Sequence, residues 1–188
     1  MRLDEPLPTA LHGEPVRTDY RVMVAYERLL FDKDASPEQQ VLGAIRLFYG
    51  REPRNARQDW DGLQWFYRCG AELPAAGGGE AVRAYDFDRD AGLIAAAFQQ
   101  AYGMDVLAEP LHWWRFKALL DALPESCRFC KIVEYRTADT ADLPEGQRHF
   151  YEQMKARYAL DPAPRYASIE EKNAAFIARL KRGEPNGS

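Results

Sequence analysis

Apolar and polar positions follow a helical period along most of the chain. Val22, Met23, Tyr26, Leu29 and Leu30 fall on one side of a 3.6-residue turn, which predicts a first helix opened by Thr18 as N-cap and ended at Asp32-Lys33-Asp34. Ser36-Pro37-Glu38-Gln39 then combines a cap serine, proline at the first helical position and a glutamine able to reach back to the cap amide. A second helix is predicted there, with the stripe Val41, Leu42, Ile45, Phe48 and Tyr49 and a stop at Gly50 and Pro53. Asn55 and Gln58 repeat the arrangement before Trp60, Leu63, Phe66 and Tyr67, and Gly70 closes a third helix. Ahead of all three, Thr9 to Arg17 reads as two short extended pieces about a turn at Gly13-Glu14, a small hairpin.

The period lapses between 71 and 84, where Gly77-Gly78-Gly79 and neighbouring alanines predict a flexible connector. It resumes at Asp86 with Phe87, Ala91, Ile94, Phe98 and Ala101, one apolar line along a helix ending at Gly103. After Pro110, Trp113, Phe116, Leu120 and Leu123 form the stripe of a helix over 111–123 that leaves Trp114 pointing elsewhere, and Pro124 ends it. Phe129, Ile132 and Val133 mark a short helix closing at Arg136, Thr137 to Asp142 is a polar loop, and Phe150, Met154 and Tyr158 mark one more helix. Asp161-Pro162-Ala163-Pro164 breaks it. Ser168 with Glu171 caps a last helix whose thin edge of Ile169, Phe176 and Leu180 suits an arm better than a core. The predicted fold is mainly α: a hairpin plus three-helix subdomain over 1–70, a linker over 71–84, a helical subdomain over 85–160 and a helical arm over 161–188.

Composition narrows the function more than the fold. The 29 acidic against 25 basic residues give a net charge of −4 with no basic run, which argues against nucleic acid as a partner. No apolar stretch reaches the roughly 18 residues that a membrane crossing needs, and the first residues lack a signal-peptide core, so the cytoplasm is the expected location. Three cysteines, Cys69, Cys127 and Cys130, argue for reduced thiols over a disulfide framework.

Candidate chemistry is sparse. The glycine triplet lacks the lysine and hydroxyl residue that complete a phosphate loop. Cys127-Arg128-Phe129-Cys130 could join His112 or His149 at a zinc ion, but the second close ligand pair of a structural site is missing, and buried or half-buried structural thiols are the simpler reading. Asp86, Asp88 and Asp90 are explained by capping and the helix macrodipole. No Gly-x-Ser-x-Gly or His-Glu-x-x-His pattern occurs, and a structural role is the default for His112. Aromatic residues make up 12% of the chain, and two tryptophans, Trp65 and Trp114, lie off the stripes of their helices. Each is either interior packing or an anchor for a partner protein.

Trp65-Phe66-Tyr67-Arg68-Cys69-Gly70, together with the run from Tyr85-Asp86-Phe87-Asp88 through Tyr102-Gly103 to Leu111-His112-Trp113-Trp114-Arg115-Phe116-Lys117-Ala118-Leu119, resembles the bacteriophage gene-product-fifteen family. The similarity runs over nearly the whole length, including Lys131-Ile132 and Tyr135-Arg136, while Cys127 and Cys130 stand outside the family pattern. The resemblance implies a small protein of long-tailed phages and prophages, encoded between the tail-tube and tape-measure genes. By that position it implies a non-enzymatic tail assembly chaperone that needs no cofactor and binds the tape-measure protein, with the tail-tube protein and further copies of the chain as additional partners. An apolar groove beside helix 111–123 would hold a partner helix, and Trp65, Tyr102, His112 and Trp114 are the residues expected at the partner surface. A structural or tail-completion component of the virion is the alternative, and a metal-binding enzyme built on the cysteine pair is a third reading.

Overall fold

The computed structural model describes residues 3–71 and 83–160. The expected connector lies almost wholly outside these residues, and the expected C-terminal arm lies entirely outside them. Among the described residues the fold is mainly helical, with one hairpin near the N-terminus: β1 (Ala10–Leu11), β2 (Glu14–Pro15), α1 (Tyr20–Phe31), α2 (Pro37–Tyr49), α3 (Ala56–Tyr67), α4 (Ala91–Tyr102), α5 (Trp113–Asp121), α6 (Arg128–Thr137) and α7 (Glu145–Tyr158).

The chain forms two compact units. The first holds the hairpin and α1 to α3 and takes in Pro110–Lys117; of the described residues, the second holds 83–109 and 118–160. Among the described residues the chain therefore enters the first unit twice, and residues 113–117 of α5 belong to it while 118–121 belong to the second.

In the first unit the hairpin pairs Leu11 with Glu14 and Ala10 with Pro15. Its turn is His12-Gly13, one residue earlier than the sequence suggests. Both turn residues have left-handed backbone, φ 51° and 79°, as a two-residue turn matched to strand twist requires. The shift puts Glu14 in a strand, where it pairs with Arg51 and Arg54. Helix α1 is capped by Asp19 and not by Thr18: the Asp19 carboxylate accepts from the Arg21 amide at 2.9 Å. The Thr18 carbonyl instead accepts the Trp113 amide at 2.7 Å, and the Tyr20 amide donates to Leu111 O at 2.8 Å, so the starts of α1 and α5 are stitched together. The capping box of α2 forms as its sequence dictates, with Gln39 N donating to Ser36 Oγ at 3.2 Å and Ser36 N to Gln39 Oε1 at 2.7 Å. The buried Gln40 amide donates to the carbonyls of Leu30 and Asp32, satisfying the end of α1. Met23, Tyr26, Val41, Ile45, Phe48, Leu63 and Phe66 supply the aliphatic and aromatic core. A run of rings, Tyr20 on Phe116, Phe116 on Trp113 and Trp113 on Tyr67, stacks through it at centroid separations of 4.4, 5.8 and 5.5 Å.

In the second unit α4 starts at Ala91, later than the apolar line from Phe87 suggests, because residues 87–90 form a turn. The Asp86 carboxylate holds that turn by accepting the amides of Asp88 and Arg89. Asp90 makes no side-chain cap. Its carboxylate is almost fully buried and receives both terminal nitrogens of Arg136, at 2.6 and 3.0 Å. Arg136 also donates to the carbonyls of Ala84 and Tyr158, so one guanidinium ties the approach to α4, the helix α6 and the end of α7 together. Asp86 therefore holds the turn ahead of α4 and Asp90 is a buried ion-pair partner, so neither side chain caps the helix. Helix α7 has no buried residue, and its Phe150 is exposed beside Tyr135 and Tyr151.

Candidate protein-binding site

The C-terminal end of α3 shapes the aromatic platform of the first unit. Cys69 and Gly70 both adopt left-handed backbone, φ 55° and 78°, and the Gly70 amide turns back to Trp65 O at 3.0 Å. A side chain at position 70 would press on two rings, since a Cβ there would lie 3.1 Å from the Trp114 ring and 3.4 Å from that of Trp65. The last carbonyls of a helix have no partner within it. Here the indole of Trp113 donates to Tyr67 O and the indole of Trp114 donates to Phe66 O, each at 2.8 Å. Two consecutive tryptophans thus terminate α3 from α5.

Those bonds decide where the candidate residues lie. Trp114, off its own helix stripe, is an interior residue, 7% exposed, because only there does its N–H reach a carbonyl. Trp65 lies against it, centroids 5.2 Å apart, and remains 38% exposed. His112 sits between the two helix starts: its Nδ1 accepts the Trp114 amide at 3.1 Å, and Nε2 bonds Pro8 O at 2.9 Å. Nδ1 as acceptor and Nε2–H as donor define one neutral tautomer. The His112 pKa is lowered, chiefly by burial and against the Pro8 hydrogen bond. Trp65, His112 and Trp114 therefore come together in the first unit. Tyr102 belongs to the second, where its hydroxyl donates to Leu119 O at 2.8 Å and burial raises its pKa.

Of the apolar residues of helix α5, Trp113, Trp114, Phe116 and Leu120 are buried, as is Leu123 just beyond it, whereas Leu119 is half-buried and Ala118 exposed. The predicted stripe of Trp113, Phe116, Leu120 and Leu123 is therefore packed inside, and these four side chains do not wall an open groove.

The cysteine pair is held by backbone. Cys127 is buried and caps α6, its Sγ accepting the Cys130 amide at 3.4 Å, while the Cys130 thiol lies 3.8 Å from Leu123 O. Burial, then the hydrogen bond to Cys127, pushes the Cys130 thiol up to about 11, so it is a neutral thiol near pH 7. His149 bonds Gln153 on α7. Among the described residues no group of three His, Cys, Asp or Glu side chains is placed to hold a metal ion, and no helix is long and apolar enough to cross a membrane. The helix-end carbonyls that fix the two indoles have no signature in the sequence beyond the Trp-Trp pair itself.

No curated protein and no solved structure matches the chain. Residues 3–160 match the family described as bacteriophage Gp15 protein, and the chain belongs to that family.

Proposed function

We propose that the chain is a tail assembly chaperone that binds the tape-measure protein in the host cytoplasm during tail morphogenesis. Its family supports a phage structural or tail-region protein and is not a known enzyme family. The observation that carries the reading is Trp65, more than one-third exposed on a buried, hydrogen-bonded Trp114. A tryptophan held on a rigid floor loses little freedom when a partner covers it, and such residues dominate binding energy at interfaces. A long helical partner with exposed apolar stripes aggregates, and a protein that masks those stripes lowers the concentration of free sticky surface. Release follows when tail-tube subunits compete for the same stripes.

Co-expression with the tape-measure protein and affinity capture tests this. Enrichment over an unrelated coiled coil is the expected result, and equal capture of both contradicts it. Mass spectrometry of purified particles then separates a chaperone, absent from the virion, from a tail component retained in stoichiometric amount.

A further inference from the structure

In the second unit Cys127 and Cys130 stand at the start of α6 and take no part in the proposed binding surface. Cys127 is the N-cap and Cys130 the third helical residue. A helix holds positions three apart about 5 Å from each other at Cα, inside the roughly 4.4–6.8 Å that a disulfide spans. The cap brings the two side chains together: the Cys130 amide donates to Cys127 Sγ at 3.4 Å, and the Cys130 thiol also hydrogen-bonds Cys127. Two thiols held in contact react with each other far faster than either finds a partner in solution.

The two sulfurs differ in access. Cys127 is buried, whereas Cys130 is half-buried. In thiol–disulfide exchange one thiol meets the external reagent and its neighbour then displaces that reagent, so the outer thiol here is Cys130. Burial, then its bond to Cys127, pushes Cys130 up to about 11, which makes its thiolate scarce at pH 7 and the first step slow. Cys127 needs no route to solvent, because its target is the sulfur beside it. The Cys130 amide and the N-terminus of α6 face the charge that Cys127 carries as it attacks.

We propose that Cys127 and Cys130 form a reversible disulfide by exchange with a small-molecule disulfide of the glutathione class. The Cys130 thiolate attacks one sulfur of the reagent, whose S–S bond breaks, and the first small thiolate leaves and takes up the proton that Cys130 lost. Cys127, as thiolate, attacks Cys130 Sγ; the mixed S–S bond breaks, and the second small thiolate leaves and takes up the proton that Cys127 lost. The chain is oxidised by two electrons and the reagent is reduced to two thiols. Bridging removes the thiol that donates to Leu123 O, so the turn into α6 responds to the redox state of its surroundings.

The test is incubation of the folded full chain with excess oxidised glutathione, followed by acid quench and peptide mapping, with Cys69 scored separately. The expected product carries the Cys127–Cys130 bridge and no glutathione on either residue, forms about tenfold faster for each pH unit between 7 and 9, and is reversed by dithiothreitol. Cys127→Ser keeps a capping side chain, and there the reaction stops at a glutathione adduct on Cys130. In Cys130→Ser the buried Cys127 takes up glutathione at least about tenfold more slowly. A glutathione adduct that persists on Cys130 in the native chain, no bridge in the folded chain, a bridge that forms only in urea, or equal adduct formation in the two variants overturns the proposal. Should a variant fail to fold, the native chain's adduct-free bridge and its pH dependence decide alone.

Discussion

Three residues carry more structural information than their type suggests. Gly62 and Gly92 both sit in helices, where glycine costs roughly 0.5–1 kcal/mol relative to alanine. Around Gly92 a Cβ meets nothing within 4 Å, so Gly92→Ala stabilises by up to about 1 kcal/mol. At Gly62 the same change drives a methyl into Tyr49 Oη, and Gly62→Ala destabilises despite its better propensity. Adding Tyr49→Phe to it recovers part of the loss, and urea denaturation of the four proteins reads both signs. His112 gives a pH signature. Its neutral ring is the form that accepts the Trp114 amide, and its pKa is lowered by burial from the ordinary 6.5. The associated stability is whole above pH 6.5 and is lost as the pH falls through the lower folded value. His112→Asn keeps an acceptor at the helix start and removes this part of the pH dependence; identical melting profiles across that range for both proteins contradict the assignment.

At the scale of elements, the second unit hangs on one buried pair. Asp90→Asn leaves Arg136 charged and buried, and costs about 3–5 kcal/mol, whereas replacing both residues by Leu and Met costs much less. A double-mutant cycle in urea checks the difference. This pair also marks what the chain could not reveal in one dimension. Ser36 and Gln39 announce α2 because a capping box is local, and Phe98 and Phe116 announce interior faces because helical period is local. Asp90 and Arg136 are far apart in sequence, and an aspartate at a helix start looks like a cap until its partner is seen. The same blindness moved the α1 cap from Thr18 to Asp19, since nothing near Thr18 tells that its carbonyl is claimed by Trp113. The hairpin turn lies one residue earlier because His12 takes the positive φ that glycine signals far more strongly in sequence, so that Gly13 points to a turn at Gly13-Glu14.

Across the whole molecule, only a few large apolar side chains are exposed among the described residues: Leu3, Trp65, Leu107 and Phe150. Trp65 and Trp114 are equally conspicuous as letters, yet two indole bonds to helix-end carbonyls draw Trp113 and Trp114 inward and leave Trp65 as their outer layer. Trp114→Ala therefore destabilises the fold by about 3–5 kcal/mol, while Trp65→Ala leaves stability within about 1 kcal/mol and acts on binding. The measurement that bears most directly on the account is calorimetric titration of the tape-measure protein's helical segments with wild type and Trp65→Ala at matched folded concentration. The expected result is a dissociation constant raised roughly tenfold or more in Trp65→Ala. An unchanged constant, or no binding by wild type, contradicts the claim that this tryptophan is the surface by which the protein holds its partner.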